Sequence, residues 1–105
     1  MNVHSLRNHL CSNSSLGTWM QIPSPIVANI LSRQKFDWIV LDLEHGRFDN
    51  YIIGDLFNVI KSNGCLPFAR LLSSCSQPEI SRVLDAGASG LIFPKVESVN
   101  QSRDI

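Results

Sequence analysis

Four short apolar runs alternate along this chain with segments of helical periodicity. The predicted strands cover residues 16–22, 38–41, 66–71 and 90–93. The helices predicted between them cover about residues 25–34, 50–63 and 76–87. Strands that alternate with helices at this spacing indicate parallel βαβ units with right-handed crossovers. The sequence therefore predicts an α/β fold built on a parallel sheet.

Helix-capping residues support this division. Ser24 followed by Pro25 predicts a helix start, because serine accepts a hydrogen bond from a free N–H group and proline suits the first helical position. Ser76 and Ser98 are the predicted N-caps of the third and fourth helices. Gly87 stands where the third helix is expected to end, since glycine readily adopts a left-handed C-cap.

A parallel sheet of only four strands has two open edges and one poorly covered face. We therefore expect about half of a larger fold, namely the first half of a (β/α)8 barrel of ~250 residues. Residues 1–14 are predicted to form an N-terminal helical segment, and residues 15–105 the first four βα units. The alternative is a complete flavodoxin-like or Rossmann-type domain. Such domains carry a glycine-rich phosphate loop after the first strand, and residues 21–25 of this chain contain no such loop, which weakens the alternative.

The composition excludes several classes of protein. The 105 residues are 44% hydrophobic and carry nine basic and nine acidic residues. This even balance provides no electrostatic footprint for nucleic acid or for an anionic membrane. No apolar run reaches the roughly 20 residues of a membrane span, and the N-terminal segment lacks the apolar core of a signal peptide. We expect a cytoplasmic protein that binds neither nucleic acid nor membrane.

The chain contains three cysteines, Cys11, Cys65 and Cys75. Their odd number and irregular spacing predict reduced structural thiols rather than disulfides or a metal site. Cys75 lies in a serine-rich loop and is the one thiol considered for reactivity. No activating partner is evident near it in the sequence.

Asp42, Glu44 and His45 directly follow the second apolar strand. Charged side chains at the end of a buried strand lower the stability of the fold. Their presence is explained if the strand end faces a reaction site. Asp42 and His45 are predicted to form a carboxylate–imidazole dyad, in which the carboxylate sets the ring tautomer and raises its basicity. The alternative is that these residues only end the strand and solvate the loop.

Polar side chains also follow the other predicted strands. The full set is Gln21, Asp42, Glu44, His45, Arg70, Lys95 and Glu97. In βα barrels the active site lies at the C-terminal ends of the strands. Arg70 is the most informative member, because its planar guanidinium suits a substrate carboxylate or an enolate oxygen. The alternative for Arg70 is a structural ion pair with Asp42 or Glu44.

These segments resemble the HpcH/HpaI aldolase and citrate lyase family. The similarity is greatest to its class II pyruvate-aldolase branch, which cleaves 4-hydroxy-2-oxo acids to pyruvate and an aldehyde. The resemblance covers about residues 15–105. The segments that carry it are residues 16–19, 36–46, 68–70, 84–90 and 93–97.

The resemblance implies a βα barrel and a metal-bound enolate. The metal is a divalent ion, Mg, Mn or Co, that chelates the pyruvate enolate. His45 matches the family's general base and Asp42 its dyad partner. Arg70 matches the arginine that binds the pyruvyl carboxylate or keto oxygen. From their positions at strand ends, Gln21 is expected to help bind substrate and Glu44 to support the site.

The resemblance also leaves alternatives open. The family's carboxylate metal ligands come from later strands, beyond Ile105, so no metal ligand is assigned within this chain. Family members generally form homo-oligomers. Residues 94–98 are closer to the citrate lyase β-subunit side of the family, which acts on acyl-thioesters. A non-catalytic barrel fragment that acts as a binding or assembly module is the remaining hypothesis.

Overall fold

A computed structural model describes residues 2–73 and 76–105 of the chain. Helices and strands alternate throughout this part, and no helix in it is long and apolar enough to cross a membrane. In chain order the elements are α1 (Val3–Ser12), β1 (Gly17–Met20), α2 (Pro25–Ser32), β2 (Trp38–Asp42), α3 (Asn50–Ser62), β3 (Leu66–Arg70), α4 (Gln77–Ala86), β4 (Gly90–Ile92) and α5 (Val99–Asp104).

The four strands form one parallel sheet in the order β1-β2-β3-β4. Each strand lies beside the one that follows it in the chain, and a helix connects the two. The register sets Trp19 beside Val40 and Val40 beside Phe68, so alternate residues of neighbouring strands share a face. The predicted α/β class with parallel βα repeats is confirmed.

Helices α2, α3 and α4 cover one face of the sheet and build the core with it. On this face Ile39, Leu41 and Ala69 have no exposed surface. They belong to the same buried cluster as Leu56 and Phe57 of α3. Burial of these apolar side chains is the main favourable contribution to folding, at about 25 cal/mol per Å² removed from water.

The opposite face is aromatic and less well covered. The rings of Trp38 and Phe68 lie with their centroids 6.3 Å apart. These two rings and Leu6 on α1 line a cavity of about 470 Å³. Trp19, nearer the carboxyl ends of the strands, is 45% exposed. The sheet therefore has one face packed by helices and one that is partly open, as predicted for four strands alone.

Two of the predicted N-caps form hydrogen bonds. Ser24 accepts from the N–H of Val27, and Ser98 accepts from the N–H of Gln101 in a complete capping box. Ser76 precedes α4 as predicted, but its side chain makes no capping hydrogen bond. Pro78 occupies the second helical position there and has no N–H to donate, which removes one of the usual cap partners.

Some boundaries differ from the predicted ones. The β1 strand covers Gly17–Met20 rather than residues 16–22, because its pairing with β2 ends at Met20 and Leu41. Helix α2 ends at Ser32 rather than near residue 34. The side-chain hydroxyl of Ser32 donates to the carbonyl of Ala28 one turn earlier. Such bonds compete with the backbone pattern of a helix near its end.

The described cysteines differ in environment. Cys11 is exposed, whereas Cys65, just before β3, is 2% exposed. Burial raises the pKa of the Cys65 thiol to about 11. The buried thiol is therefore protonated at neutral pH and packs as a small apolar side chain. Cys75 lies outside the described residues.

Gly17 lies against the indole of Trp38, and a Cβ at residue 17 would overlap the ring. Gly54 in α3 has space, because the nearest atom to a Cβ there is the Ala86 carbonyl oxygen at 3.9 Å. We expect Gly17→Ala to lower the free energy of unfolding by about 1–3 kcal/mol through overpacking. The matched Gly54→Ala variant is expected to raise it by about 0.5–1 kcal/mol. Urea unfolding followed by circular dichroism measures both, and equal effects would contradict the close packing of Trp38 on β1.

Candidate functional site

Asp42 ends β2 and is 1% exposed. Its Oδ1 accepts hydrogen bonds from the backbone N–H groups of Glu44 and His45, at 3.1 and 3.0 Å, and from Arg70 Nε at 3.1 Å. Its Oδ2 accepts from Gln21 Nε2 at 2.9 Å and from Arg70 Nη2 at 2.5 Å. Because these donors surround both oxygens, the carboxylate is buried without an unsatisfied acceptor.

The same contacts set the charge of the pair. Burial by itself raises the pKa of Asp42. Hydrogen bonds from Arg70, the His45 backbone and Gln21, together with the positive charge of Arg70, have the larger effect and lower the pKa to about 2. Asp42 in turn raises the pKa of Arg70, chiefly through the hydrogen bond. Both groups are therefore charged across the neutral pH range.

Arg70 ends β3 and lies beside Asp42 in the strand register. Its guanidinium carbon lies 4.9 Å from the centroid of the Trp19 ring, in a cation–π contact. Nη2 also donates to His45 Nδ1 at 2.7 Å. Within the described part of the chain, Nη1 makes no hydrogen bond, and the side chain is 24% exposed. Two N–H groups of a fixed guanidinium are thus left to bind an acceptor.

His45 is the exposed member of the cluster, with 61% of its side chain accessible. Arginine can only donate, so the hydrogen-bond network assigns the lone pair of the neutral ring to Nδ1 and the proton to Nε2. Nε2 lies 3.3 Å from Glu44 Oε1, whereas Nδ1 lies 3.8 Å from Asp42 Oδ2. The predicted Asp42–His45 contact is therefore indirect, because Arg70 Nη2 bonds to both groups.

Glu44 contributes a second carboxylate that is nine-tenths buried. Its Oε1 faces the imidazole of His45. Its Oε2 is buried and has no hydrogen-bond partner among residues 2–73 and 76–105. A buried carboxylate oxygen without a donor is costly, which distinguishes Glu44 from the fully satisfied Asp42.

The backbone turn after β2 places these side chains. The N–H of Gly46 donates to the Asp42 carbonyl oxygen at 2.7 Å. A Cβ at residue 46 would lie 2.5 Å from that oxygen and would overlap the Phe48 ring. The turn is further closed by the two backbone N–H groups that donate to the Asp42 side chain, as aspartate commonly accepts in turns. Asp42 therefore sets the direction in which Glu44 and His45 leave the strand.

The structure brings together most of the predicted site residues. The cluster consists of Gln21, Asp42, Glu44, His45 and Arg70. Gln21 is largely exposed, and its side-chain amide N–H donates a hydrogen bond to Asp42. The roles of these residues in catalysis and substrate binding stay predictions.

The two polar residues after β4 lie in the approach to α5. The N–H of Glu97 donates to the side chain of Gln101 at 2.7 Å. Lys95 has a left-handed backbone, with φ 56°, and lines a cavity of about 480 Å³ beside Phe93 and Gln77. Glu97 precedes the N-cap Ser98 and therefore lies outside the first turn of α5.

Trp19 is the site residue that the sequence analysis missed. Its ring forms the apolar surface on which Arg70 rests. Gly17, Trp19 and Gln21 alternate along β1 and its end, so period-2 spacing puts Trp19 on the face that carries the Gln21 side chain. This spacing is the signal that could have identified it.

The resemblance implies a divalent metal ion, for which the sequence analysis assigned no ligand within this chain. Among the described residues there is no group of three or more His, Cys, Asp or Glu side chains that could hold a metal ion. Both oxygens of Asp42 are already engaged by donors. The residues present therefore do not fit a metal ion by themselves.

In βα-barrel proteins the active site lies at the carboxyl ends of the strands. The polar cluster of this chain lies at the same ends of its parallel sheet. A sequence model described as HpcH/HpaI aldolase/citrate lyase matches residues 15–105. The chain belongs to this family, and the resemblance described above is confirmed.

Individual relatives agree with this assignment. The chain is 35% identical over 91 residues to the hydroxypyruvate/pyruvate aldolase of Roseovarius nubinhibens, covering 86% of this chain and 35% of that protein. It matches the crystal structure of macrophomate synthase with a TM-score of 0.84 and 28% identity, covering 98% of this chain and 36% of the other. An HpcH/HpaI aldolase from Desulfitobacterium hafniense matches with a TM-score of 0.81 and 27% identity, covering 94% and 39%. The chain thus spans about a third of the length of the curated relative.

Stability at low pH tests the Asp42–Arg70 pair. The pKa of Asp42 is about 2 in the folded chain and about 3.9 in an unfolded one, so the stabilisation it provides is complete above pH ~5 and is lost as the pH falls toward 2. At pH 7 we expect Asp42→Asn to lower the free energy of unfolding by about 3 kcal/mol, because Arg70 loses its charged partner. The difference from wild type should shrink at pH 2.5.

The matched control is Asp55→Asn, since Asp55 is an exposed carboxylate on α3. Urea unfolding at pH 7, 4 and 2.5 provides the comparison. We expect the control to follow wild type within about 0.5 kcal/mol. If Asp42→Asn lowered the free energy of unfolding by the same amount at all three pH values, a stabilising ion pair would be contradicted.

Proposed function

We propose that this chain carries the oxo-acid-binding part of an aldolase that cleaves a 4-hydroxy-2-oxo acid to pyruvate and an aldehyde. One observation supports this most strongly. Arg70 is held by Asp42 and by the Trp19 ring, its Nη2 contacts the imidazole of His45, and its Nη1 has no hydrogen-bond partner among the described residues. A preorganised cation next to a base suits a reaction that creates an enolate.

The reaction requires a base and an anion-binding group. The hydroxyl on C4 loses its proton, the C3–C4 bond breaks, and its electron pair forms the enolate of pyruvate while C4 becomes the aldehyde carbon. His45 is assigned the hydroxyl proton, which Nδ1 can take once the hydroxyl replaces Arg70 Nη2 as the hydrogen-bond donor to its lone pair. The Arg70 N–H groups bind the carboxylate and the developing enolate oxygen. The proton held by His45 then passes to C3 of the enolate, which gives pyruvate and restores the neutral ring.

The family resemblance adds a divalent metal ion, which would supply further positive charge to the enolate when bound. Because the described residues do not form a metal site, we propose that its carboxylate ligands belong to later strands of the complete protein. We also propose that the complete protein forms a homo-oligomer. None of the roles assigned to Arg70 and His45 depends on the metal.

The names of the relatives favour the aldolase branch over the citrate lyase branch. Proteins from Roseovarius nubinhibens and Agrobacterium fabrum are named hydroxypyruvate/pyruvate aldolases, and one from Novosphingobium aromaticivorans is named a 4-hydroxy-2-oxovalerate aldolase. These names describe products and substrates that contain a pyruvyl group. We propose the same class of small 2-oxo acid for this chain.

Binding of pyruvate and of oxalate, an enolate mimic, tests the proposal. We expect both acids to perturb the Arg70 Nε–H and His45 ring signals in NMR titrations of the 105-residue chain. Arg70→Lys should weaken binding about tenfold, because lysine keeps the charge but loses the planar fork. His45→Gln should change pyruvate affinity by less than about threefold, since the base acts on the hydroxyl that pyruvate lacks.

The matched control is Arg103→Lys, which alters an exposed arginine on α5. It should leave both affinities unchanged. Circular dichroism confirms that each variant is folded. If folded wild type bound neither acid, with or without Mn²⁺, or if Arg70→Lys and Arg103→Lys bound them equally, the proposed role of Arg70 would be wrong.

A further inference from the structure

The guanidinium of Arg70 has one edge that the rest of the cluster does not close. The edge formed by Nε and Nη2 donates to the two oxygens of Asp42. The flat face of the group lies against the Trp19 ring, with its carbon 4.9 Å from the ring centroid. The outer edge consists of Nη1 and of the second N–H group of Nη2. Because the side chain is 24% exposed, the outer edge is the part of the guanidinium that is left for a ligand.

His45 occupies half of this outer edge. The second N–H group of Nη2 donates to His45 Nδ1 at 2.7 Å, whereas Nη1 makes no hydrogen bond to any of residues 2–73 and 76–105. Nδ1 holds the lone pair of the neutral ring, since arginine can only donate. The imidazole is 61% exposed, yet its acceptor nitrogen is already in use. In this state the guanidinium masks the lone pair of the proposed base.

Recognition of a carboxylate needs the N–H group that His45 occupies. Arginine binds a carboxylate most strongly as a fork, through two parallel N–H groups along one edge. The edge at Asp42 already holds one carboxylate in this way. The outer edge is therefore the place for a second one. A fork there and donation to His45 Nδ1 compete for the same N–H group of Nη2.

We propose that Arg70 masks His45 in the ligand-free chain and that a carboxylate bound as a fork on the outer edge releases Nδ1. The lone pair then becomes available only when an oxo acid is held, so the base is coupled to the binding of substrate. The inference rests on the proposed function and adds this coupling between its two groups. Coupling of two sites is reciprocal, so loss of the acceptor at residue 45 strengthens carboxylate binding.

Nitrogen NMR of the 105-residue chain at pH 8, where histidine rings are neutral, tests the masking. A ring nitrogen that accepts a hydrogen bond resonates at lower frequency than one that does not. His9 on α1 is the internal reference, because its Nε2 lies 2.7 Å from the Ser14 carbonyl oxygen and its Nδ1 has no partner among the described residues. We expect His45 Nδ1 to resonate below His9 Nδ1 in the free chain and to move toward it as pyruvate saturates the site.

The pyruvate affinities of three variants test the competition. His45→Leu removes the acceptor, and we expect it to bind pyruvate about fivefold more tightly than wild type, because no hydrogen bond is lost on binding. His45→Gln keeps an acceptor oxygen and should stay within about threefold of wild type. His9→Leu is the matched control and should leave the affinity unchanged. A merely loosened cluster would weaken binding, so the direction of the change separates competition from a structural effect.

The results distinguish this inference from the proposed function. If Arg70→Lys weakened pyruvate binding but pyruvate left the His45 Nδ1 signal of wild type unchanged, the masking would be refuted and the proposed function retained. Equal Nδ1 frequencies of His45 and His9 in the free chain would also refute it, as would a folded His45→Leu variant that binds pyruvate no more tightly than wild type. If pyruvate did not bind to the folded chain, both proposals would be overturned.

Discussion

The buried ion pair between Asp42 and Arg70 is the interaction on which the rest of the site depends. It joins the ends of two neighbouring strands, and the charge of each partner offsets the cost of removing the other from water. Asp42 also accepts the two backbone N–H groups that close the following turn. That turn directs Glu44 and His45. A single carboxylate thereby sets the position of a cation, the conformation of a loop and the placement of an imidazole.

The pair also divides the cluster into atoms that are paired within the protein and atoms that are not. Asp42 uses its two oxygens entirely within the protein, so it holds Arg70 without competing for a ligand. Trp19 lies against the guanidinium in a cation–π contact. Among residues 2–73 and 76–105, Arg70 Nη1 and Glu44 Oε2 have no hydrogen-bond partner. One unpaired donor group and one unpaired acceptor atom therefore lie within the same small group of side chains.

Much of this arrangement was accessible from the sequence. The alternation of apolar runs and helical periods predicted the parallel α/β order, and the polar residues at strand ends predicted the members of the cluster. The sequence analysis left open whether Arg70 binds a substrate or a carboxylate. The structure shows the pair with Asp42, and within the described residues Nη1 stays without a partner, so substrate binding by Arg70 stays a prediction. Trp19 was missed because its role depends on a contact across three strands.

By itself the sequence determined the order of the elements, the family and the residues that gather at the carboxyl ends of the strands, because apolar periodicity and strand alternation are local properties. Only the tertiary structure decided which carboxylate faces the imidazole. Asp42 and Glu44 are two residues apart, and either is close enough in sequence to pair with His45. The guanidinium of Arg70 on β3 donates to both Asp42 and Nδ1 of the ring, so Asp42 lies 3.8 Å from Nδ1 without bonding to it, whereas Glu44 lies 3.3 Å from Nε2. That outcome depends on the register of β2 and β3, which brings together residues 28 positions apart.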